Sequence, residues 1–315
     1  MTERLDIPDL TNARADRVAR VKGLARRSAR QRHRQFLVEG PQGVREAVRH
    51  APGQVRDVYV TPEAAGRYPE IVGAARAAGR HVHTATPDVL AAMSADAQGV
   101  LAVLGSDGPT TSPSLADLAA LRGGAGPRLV AVLAEVADPG NAGTVIRAAD
   151  AAGADAVVLA AGSVEVLNPK VVRSTAGSLF HLPVVTGASL AQTLATLRGA
   201  GPTPPAVLAA DGAGEWDLDE LQDRAHSAVA APLLPEPWGS GELAATALVA
   251  PDLAAPTVWV FGNEARGLGE DERALCDAAV RVPIHGLAES LNLATAATLC
   301  LYASSRAQRR AAEDR

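Results

Sequence analysis

Three separated stretches carry polar side chains where an apolar run gives way to a loop: DPGNAGTVIRAAD at 138–150, FGNEARGL at 261–268 and VPIHGLAESLNLATAA at 282–297. They bring an amide and a guanidinium (Asn141, Arg147), an amide and a carboxylate (Asn263, Glu264), and a hydroxyl and an amide (Ser290, Asn292). Side chains of these types hold polar or anionic ligands. Amides donate and accept, carboxylates accept, and a guanidinium grips phosphate with a planar fork. Each stretch also has a purely local explanation. Asn141 fits a turn, and Arg147 can pair with Asp150 on one helix face. Glu264 suits a helix start, and Ser290 can cap the last helix with Asn292 exposed in its first turn. Convergence of the three stretches on one place would separate a site from three turns.

The elements that must position these residues alternate between strand and helix. Residues 36–104 read as strands at 36–38, 55–60, 81–83 and 100–104, with helices to about 50, over 62–78 and from 87. The turn-rich clusters GSDGPTTSPS (105–114) and RGGAGP (122–127) flank a short helical stretch, as in a linker. From 128 the pattern restarts, with strands at 129–136, 156–160, 183–185, 207–210, 258–261 and 281–284 and helices at 144–152, 190–197, 270–278 and 291–310. Such alternation predicts an α/β fold with a mainly parallel sheet flanked by helices, and ligands on such sheets bind where strands end. The expected division is a basic segment 1–35, a small α/β unit 36–107, a linker 108–127 and a second unit 128–315. Residues 212–256, too long for a usual connection, read as an insertion: a lid, an RNA-contacting loop or a disordered segment.

Composition removes several classes of function. GNAG at 140–143 is not GxGxxG, and no acid follows the strand at 156–160, which argues against a dinucleotide-binding Rossmann site; no GxxxxGK[ST] occurs, which excludes a P-loop at the level of motif. No segment offers about 18 uninterrupted apolar residues for a membrane helix, which points to a cytoplasmic chain without membrane partners. Cys276 and Cys300 have no CxxC partner, so neither a disulfide framework nor a cysteine-based zinc site is expected, and no metal is assigned. The net charge is −5, yet Arg14, Arg17, Arg20, Lys22, Arg26, Arg27, Arg30, Arg32 and Arg34 crowd one short stretch against the single acid Asp16. That stretch can neutralise phosphates of RNA or DNA. A solvated helix face, a flexible arm or a transit peptide are its other readings, the last weakened by acids in the first ten residues.

Taken in order, DPGNAGTVIRAAD, NPKVVRSTAGSLFHLPV (168–184), VFGNEARGL and VPIHGLAESLNLATAATLCLY resemble the successive motifs of the SpoU, or TrmH-like, RNA 2′-O-ribose methyltransferases of the SPOUT superfamily. RQFLVEGPQGVREAV at 34–48 is similar to the ribosomal-protein-like substrate-binding domain of many members. The resemblance implies a C-terminal trefoil knot and S-adenosylmethionine held in a bent shape against the knotted loops. Gly262, Asn263 and Gly267 would line the cofactor, Gly262 and Gly267 admitting it to the backbone. Main-chain groups around Val282, Ile284 and Leu291 would meet the adenine edge. Arg147 would be central to catalysis, surrounded by Asn141, Glu264, Ser290 and Asn292. Its expected role is to grip a phosphate beside the target ribose and to stabilise the developing alkoxide, while Glu264 or that phosphate takes the proton. Arg26, Arg27, Arg30, Lys170 and Arg173 are expected on the RNA, ribosomal (23S before others) or transfer RNA, and a homodimer would let Asn141 act across its interface. Two departures stand out: Ala265, where glycine is frequent, and the long insertion. A fold-retaining RNA-binding or ribosome-assembly factor without activity, and a nucleotide-binding oxidoreductase, are the competing readings.

Overall fold

A computed structural model describes residues 7–230 and 250–313. Two sheets organise it. The first contains β1 (Gln35–Glu39), β2 (Val55–Val60), β3 (His81–Thr84) and β4 (Val100–Gly105) in the order β1-β4-β2-β3, with β4 antiparallel to both neighbours and β2 parallel to β3. The second has seven strands: β5 (Leu129–Leu133), β6 (Ala156–Leu159), β7 (Val184–Thr186), β8 (Ala206–Ala210), β9 (Trp216–Asp217), β10 (Thr257–Phe261) and β11 (Ala278–Arg281). Their order is β7-β6-β5-β10-β8-β11-β9, and every pairing is parallel. The α/β class and the mainly parallel sheet are therefore as the sequence indicates. No described helix is long and apolar enough to cross a membrane.

Every residue of β5 and of β10 is buried, because these central strands are covered on both faces. Small residues on helices let the layers close. A Cβ on Gly143 would lie 2.6 Å from the Val171 carbonyl oxygen, so the helix Pro139–Ala152 meets the helix Pro169–Ser174 almost backbone to backbone. The C-terminal helix Leu293–Glu313 is fixed by polar contacts as well as packing. Trp259 Nε1 donates to Ser304 Oγ at 2.9 Å inside the core, Ser305 Oγ donates to the Ala152 carbonyl, and Gln308 Nε2 donates to the carbonyls of Arg128 and Ala255. Each of these three donors has its acceptor, which spares the cost of about 1–3 kcal/mol that an orphaned one carries. Cys300 is buried and Cys276 half-buried, both as free thiols. Burial, aided by Asp277, pushes Cys276 up to about 11.

Several boundaries differ from expectation for local reasons. Pro69 breaks the stretch 62–78 into Pro62–Arg67 and Pro69–Ala77. The helix expected from 144 begins at Pro139, since Asp138 accepts from Asn141 N at 2.7 Å and Pro139 needs no donor at the first position. The helix expected over 270–278 is only Glu270–Arg273, and the strand expected at 281–284 is Ala278–Arg281, which leaves 282–292 as loop. The last helix starts at Leu293, and its cap is Asn292 rather than Ser290: Asn292 Oδ1 accepts from Ala294 N at 2.9 Å.

The largest correction concerns 212–256. β9 pairs with β11, Val280 opposite Trp216 and Arg281 opposite Asp217, and the helix Leu218–Ala230 packs on the C-terminal helix. β9 and this helix extend the sheet and its cover, so residues 216–230 are neither a lid nor a disordered segment. Gly214 carries the join, since a Cβ there would lie 2.7 Å from the Val280 carbonyl carbon. The proline-rich centre at 231–241 lies outside the described residues. The stretch 108–127 is also more than a tether, because its helix Leu115–Ala119 buries Leu118 against Leu190, Leu194 and Leu197.

Candidate active site

The three polar stretches meet at the strand ends of the second sheet. Asn141, in the first turn of Pro139–Ala152, donates through Nδ2 to Glu264 Oε1 at 3.2 Å and accepts at Oδ1 from Asn292 Nδ2 at 3.0 Å. Glu264 also accepts from Ala137 N (3.3 Å) and Asp138 N (3.1 Å), so both of its oxygens serve the start of that helix. The helix-start reading of Glu264 and the shared-site reading are thus both true of it. A carboxylate is favoured there because the free N–H groups carry the positive end of the helix dipole.

The loop after β10 is shaped by its own backbone. Asn263 N donates to the Gly267 carbonyl at 3.1 Å, and Gly267 N returns to the Asn263 carbonyl at 2.8 Å. A Cβ on Gly262 would stand 2.4 Å from the Gly267 carbonyl carbon, and Gly267 sits at φ +67°. Gly262 must be bare because the returning chain presses on it, and Gly267 is needed for its left-handed conformation. Asn263 Nδ2 donates to the Glu135 carbonyl at 2.9 Å, tying this loop to the end of the neighbouring strand. Glu135 itself is left-handed, φ +53°, and its carboxylate pairs with Arg266 at 2.5 Å, which raises the Arg266 guanidinium above its ordinary value.

Beside this arrangement lies a cavity of about 770 Å³. Gly262, Asn263, Gly267, Val282, Ile284 and Leu291 line it, and so do Asn141, Glu264, Ser290 and Asn292. Such a volume and such a mixture of apolar wall with a few polar groups suit a ligand of cofactor size. Val282, Ile284 and Leu291 give it an apolar side, and Ser290 Oγ has no hydrogen-bond partner among the described residues. Asp211 and Gly212, directly after β8, also line it and were not singled out from sequence. An acid at the very end of the apolar run 206–210 was the available signal. Asp211 holds Arg273 at 3.0 Å and so braces the adjacent short helix.

Arg147 is elsewhere. It points from the exposed face of Pro139–Ala152, does not line the cavity, and has no ion pair among the described residues; Asp150, its expected partner, binds His181 Nδ1 at 2.7 Å instead. Thr144, Arg147 and Ala151 form one exposed row on this helix. Thr144 and Ala151 line grooves shared with Leu299 of the C-terminal helix.

The residues expected on RNA divide. Arg26, Arg27 and Lys170 are exposed. Arg30 is not: it is 5 % exposed, with Nε and Nη2 on Glu165 at 3.0 and 2.6 Å and Nη1 on the carbonyls of Leu24 and Ala25. Its guanidinium joins the basic segment to the second unit and cannot be spent on phosphate. Arg173 bonds Glu39 at 2.8 Å and Asp96 at 2.7 Å, again between the units. In the same stretch Arg17 meets His83 and Arg34 meets Asp107.

Comparison with known proteins agrees with this architecture. Residues 128–302 match the SpoU rRNA methylase family, and residues 37–107 match the domain described as RNA 2′-O ribose methyltransferase substrate binding. The chain is similar to the 23S rRNA (guanosine(2553)-2′-O)-methyltransferase RlmP of Bacillus subtilis, 28 % identical over 93 % of this chain and 97 % of that one. It is also similar to the 23S rRNA (uridine(2479)-2′-O)-methyltransferase of Streptomyces viridochromogenes, 35 % identical over 53 % of this chain and 49 % of that one. Among solved structures, the SpoU methyltransferase AviRb of Streptomyces viridochromogenes in complex with AdoMet superposes with a TM-score of 0.71 at 30 % identity, covering 94 % of this chain and 99 % of that one. The chain belongs to the SpoU rRNA methylase family, with the RNA 2′-O-ribose methyltransferase substrate-binding domain at its N-terminal side.

Proposed function

We propose that this protein transfers a methyl group from S-adenosylmethionine to a ribose 2′-hydroxyl of 23S ribosomal RNA. One observation carries the reading: residues from three distant stretches, Asn141, Glu264 and Asn292, are hydrogen-bonded to one another at the rim of a single cavity. The cavity fits the cofactor in size and in chemistry, Val282, Ile284 and Leu291 supplying apolar wall and Asn141, Glu264, Ser290 and Asn292 polar groups. Bound there, S-adenosylmethionine supplies an electrophilic methyl carbon for direct displacement by the ribose oxygen.

The chain's own residues then have to align that oxygen and manage its proton. Alignment alone can lower such a barrier substantially. Both oxygens of Glu264 already accept from N–H groups, so Glu264 is best read as a positioning residue that holds Asn141 and the helix start. A guanidinium keeps its proton far above neutral pH, so Arg147 is no base; it grips phosphate and stabilises the alkoxide. The proton passes to the phosphate beside the target ribose.

Arg147 does not line the cavity of its own chain, and a second copy would supply it in a homodimer. Of the five large apolar side chains exposed among the described residues, one is Ile7, and the other four, Ile284, Leu287, Leu299 and Tyr302, belong to the loop 282–292 and the C-terminal helix. Pairing through that face would bury them and set Arg147 of one copy near the other's cavity. The family's trefoil knot would lie in the same region. Arg26, Arg27 and Lys170, all exposed, are the proposed phosphate contacts, Arg27 sharing its charge with Glu165 at 3.6 Å.

Calorimetric titration of the full chain with S-adenosylmethionine and, separately, with NAD⁺ tests the proposal. Saturable binding of S-adenosylmethionine and none of NAD⁺ is expected. The reverse pattern would make this an oxidoreductase, and binding of neither would leave the cavity without its assigned ligand.

A further inference from the structure

A second polar cluster lies where the N-terminal unit meets the C-terminal one, apart from the cavity. Glu46 and His50 stand one turn apart on the helix Pro41–His50, and His181 follows the 3-10 turn Ser178–Phe180 ahead of β7. His50 Nε2 and His181 Nε2 each lie 3.3 Å from the same atom, Glu46 Oε2, and the ligating atoms of all three residues fall within 4.8 Å of one another. The two imidazoles meet edge to face, centroids 4.7 Å apart.

We propose that Glu46, His50 and His181 bind a divalent transition metal ion, zinc by ligand type, that clips the two units together. Bonds of about 2.0–2.2 Å in a tetrahedral site set neighbouring donor atoms about 3.3–3.6 Å apart. The two imidazole-to-carboxylate distances are of that size. The surroundings are those of a supported ligand. Asp150 Oδ2 lies 2.7 Å from His181 Nδ1, and with the ring proton on that bond the Nε2 lone pair is free to ligate an ion beside Glu46. His181 Nε2 lies 3.3 Å from the Glu46 carboxylate, a contact that needs either a proton or a metal ion between the two atoms. Arg49, 3.8 Å from the other Glu46 oxygen, Oε1, leaves Oε2 to the imidazoles. Gly177 seats the carboxylate, for a Cβ there would stand 2.5 Å from Glu46 Cγ. Side chains of His50 and His181 are 50 % and 27 % exposed, so an ion can enter and keep a water as fourth ligand. Two histidines and one carboxylate are a familiar three-ligand set for zinc.

Tag-free full-length protein, stripped with a chelator, is titrated with Zn²⁺ against a chromogenic competitor, and with Co²⁺ followed by visible absorption. One ion per chain and a tetrahedral Co²⁺ spectrum are expected. His50→Ala and His181→Ala should each weaken binding about 100-fold or more, and Asp150→Asn about 10–100-fold. Glu46→Gln, which keeps a polar group but not the charge, should lose the ion as well, while His285→Ala should bind normally. The assignment is overturned if no stoichiometric binding occurs, leaving the cluster held by protons alone, or if binding survives both histidine variants.

Discussion

Asn141 joins the site together by facing two ways, accepting from Asn292 and donating to Glu264. That chain of contacts separates two kinds of residue whose loss should look different. Glu264→Gln puts an amide hydrogen against N–H donors at the helix start, so it should loosen the position of Asn141 and lower turnover by about 100-fold, with a measurable change in S-adenosylmethionine affinity. Arg147→Lys leaves every contact of the cavity untouched in the free chain, since Arg147 does not line it. It should reduce turnover by about 100-fold with cofactor affinity unchanged, because a lysine lacks the planar fork. Steady-state kinetics paired with calorimetry read both; near wild-type turnover in Arg147→Lys would refute the phosphate grip.

Among elements, the loop after β10 decides whether the cavity keeps its shape. Gly262→Ala sets a methyl group against the Gly267 backbone, and overpacking of this sort costs about 1–3 kcal/mol. Thermal unfolding should show that loss, and S-adenosylmethionine should bind at least about 10-fold more weakly as the loop is displaced. A variant as stable and as tight as wild type would mean that the approach of the two backbone segments does not matter. Much at this scale was legible in the sequence, since β5, β8 and β10 are apolar runs followed by polar residues, and the motif order marked the loops that line the cavity. β9 was not: two residues give no periodicity, and Gly214 looks like a turn until β11 is seen against it. Nor could composition reveal that Arg30 is buried, because its acceptor Glu165 is 135 residues away. Arginine in a basic run reads as surface until the partner is located.

For the whole molecule, the proposed dimer is the feature open to test. The face bearing Leu299, Tyr302 and the Arg147 row is open in one chain, and its burial would complete the site. Tyr302→Glu combined with Leu299→Glu should give monomers by light scattering and abolish transfer, while each monomer still folds, as both side chains are exposed. Active monomers would show that Arg147 needs no partner. The central claim, that the converged residues direct a methyl group to a sugar oxygen, is tested most directly by locating the methyl itself. Ribosomal RNA from cells lacking the protein is incubated with the enzyme and isotope-labelled S-adenosylmethionine, then digested and mapped for 2′-O-methylation. Label is expected on the ribose of a single 23S nucleotide, and none with Arg147→Ala; label on a base, or none despite cofactor binding, would refute ribose methylation by this site.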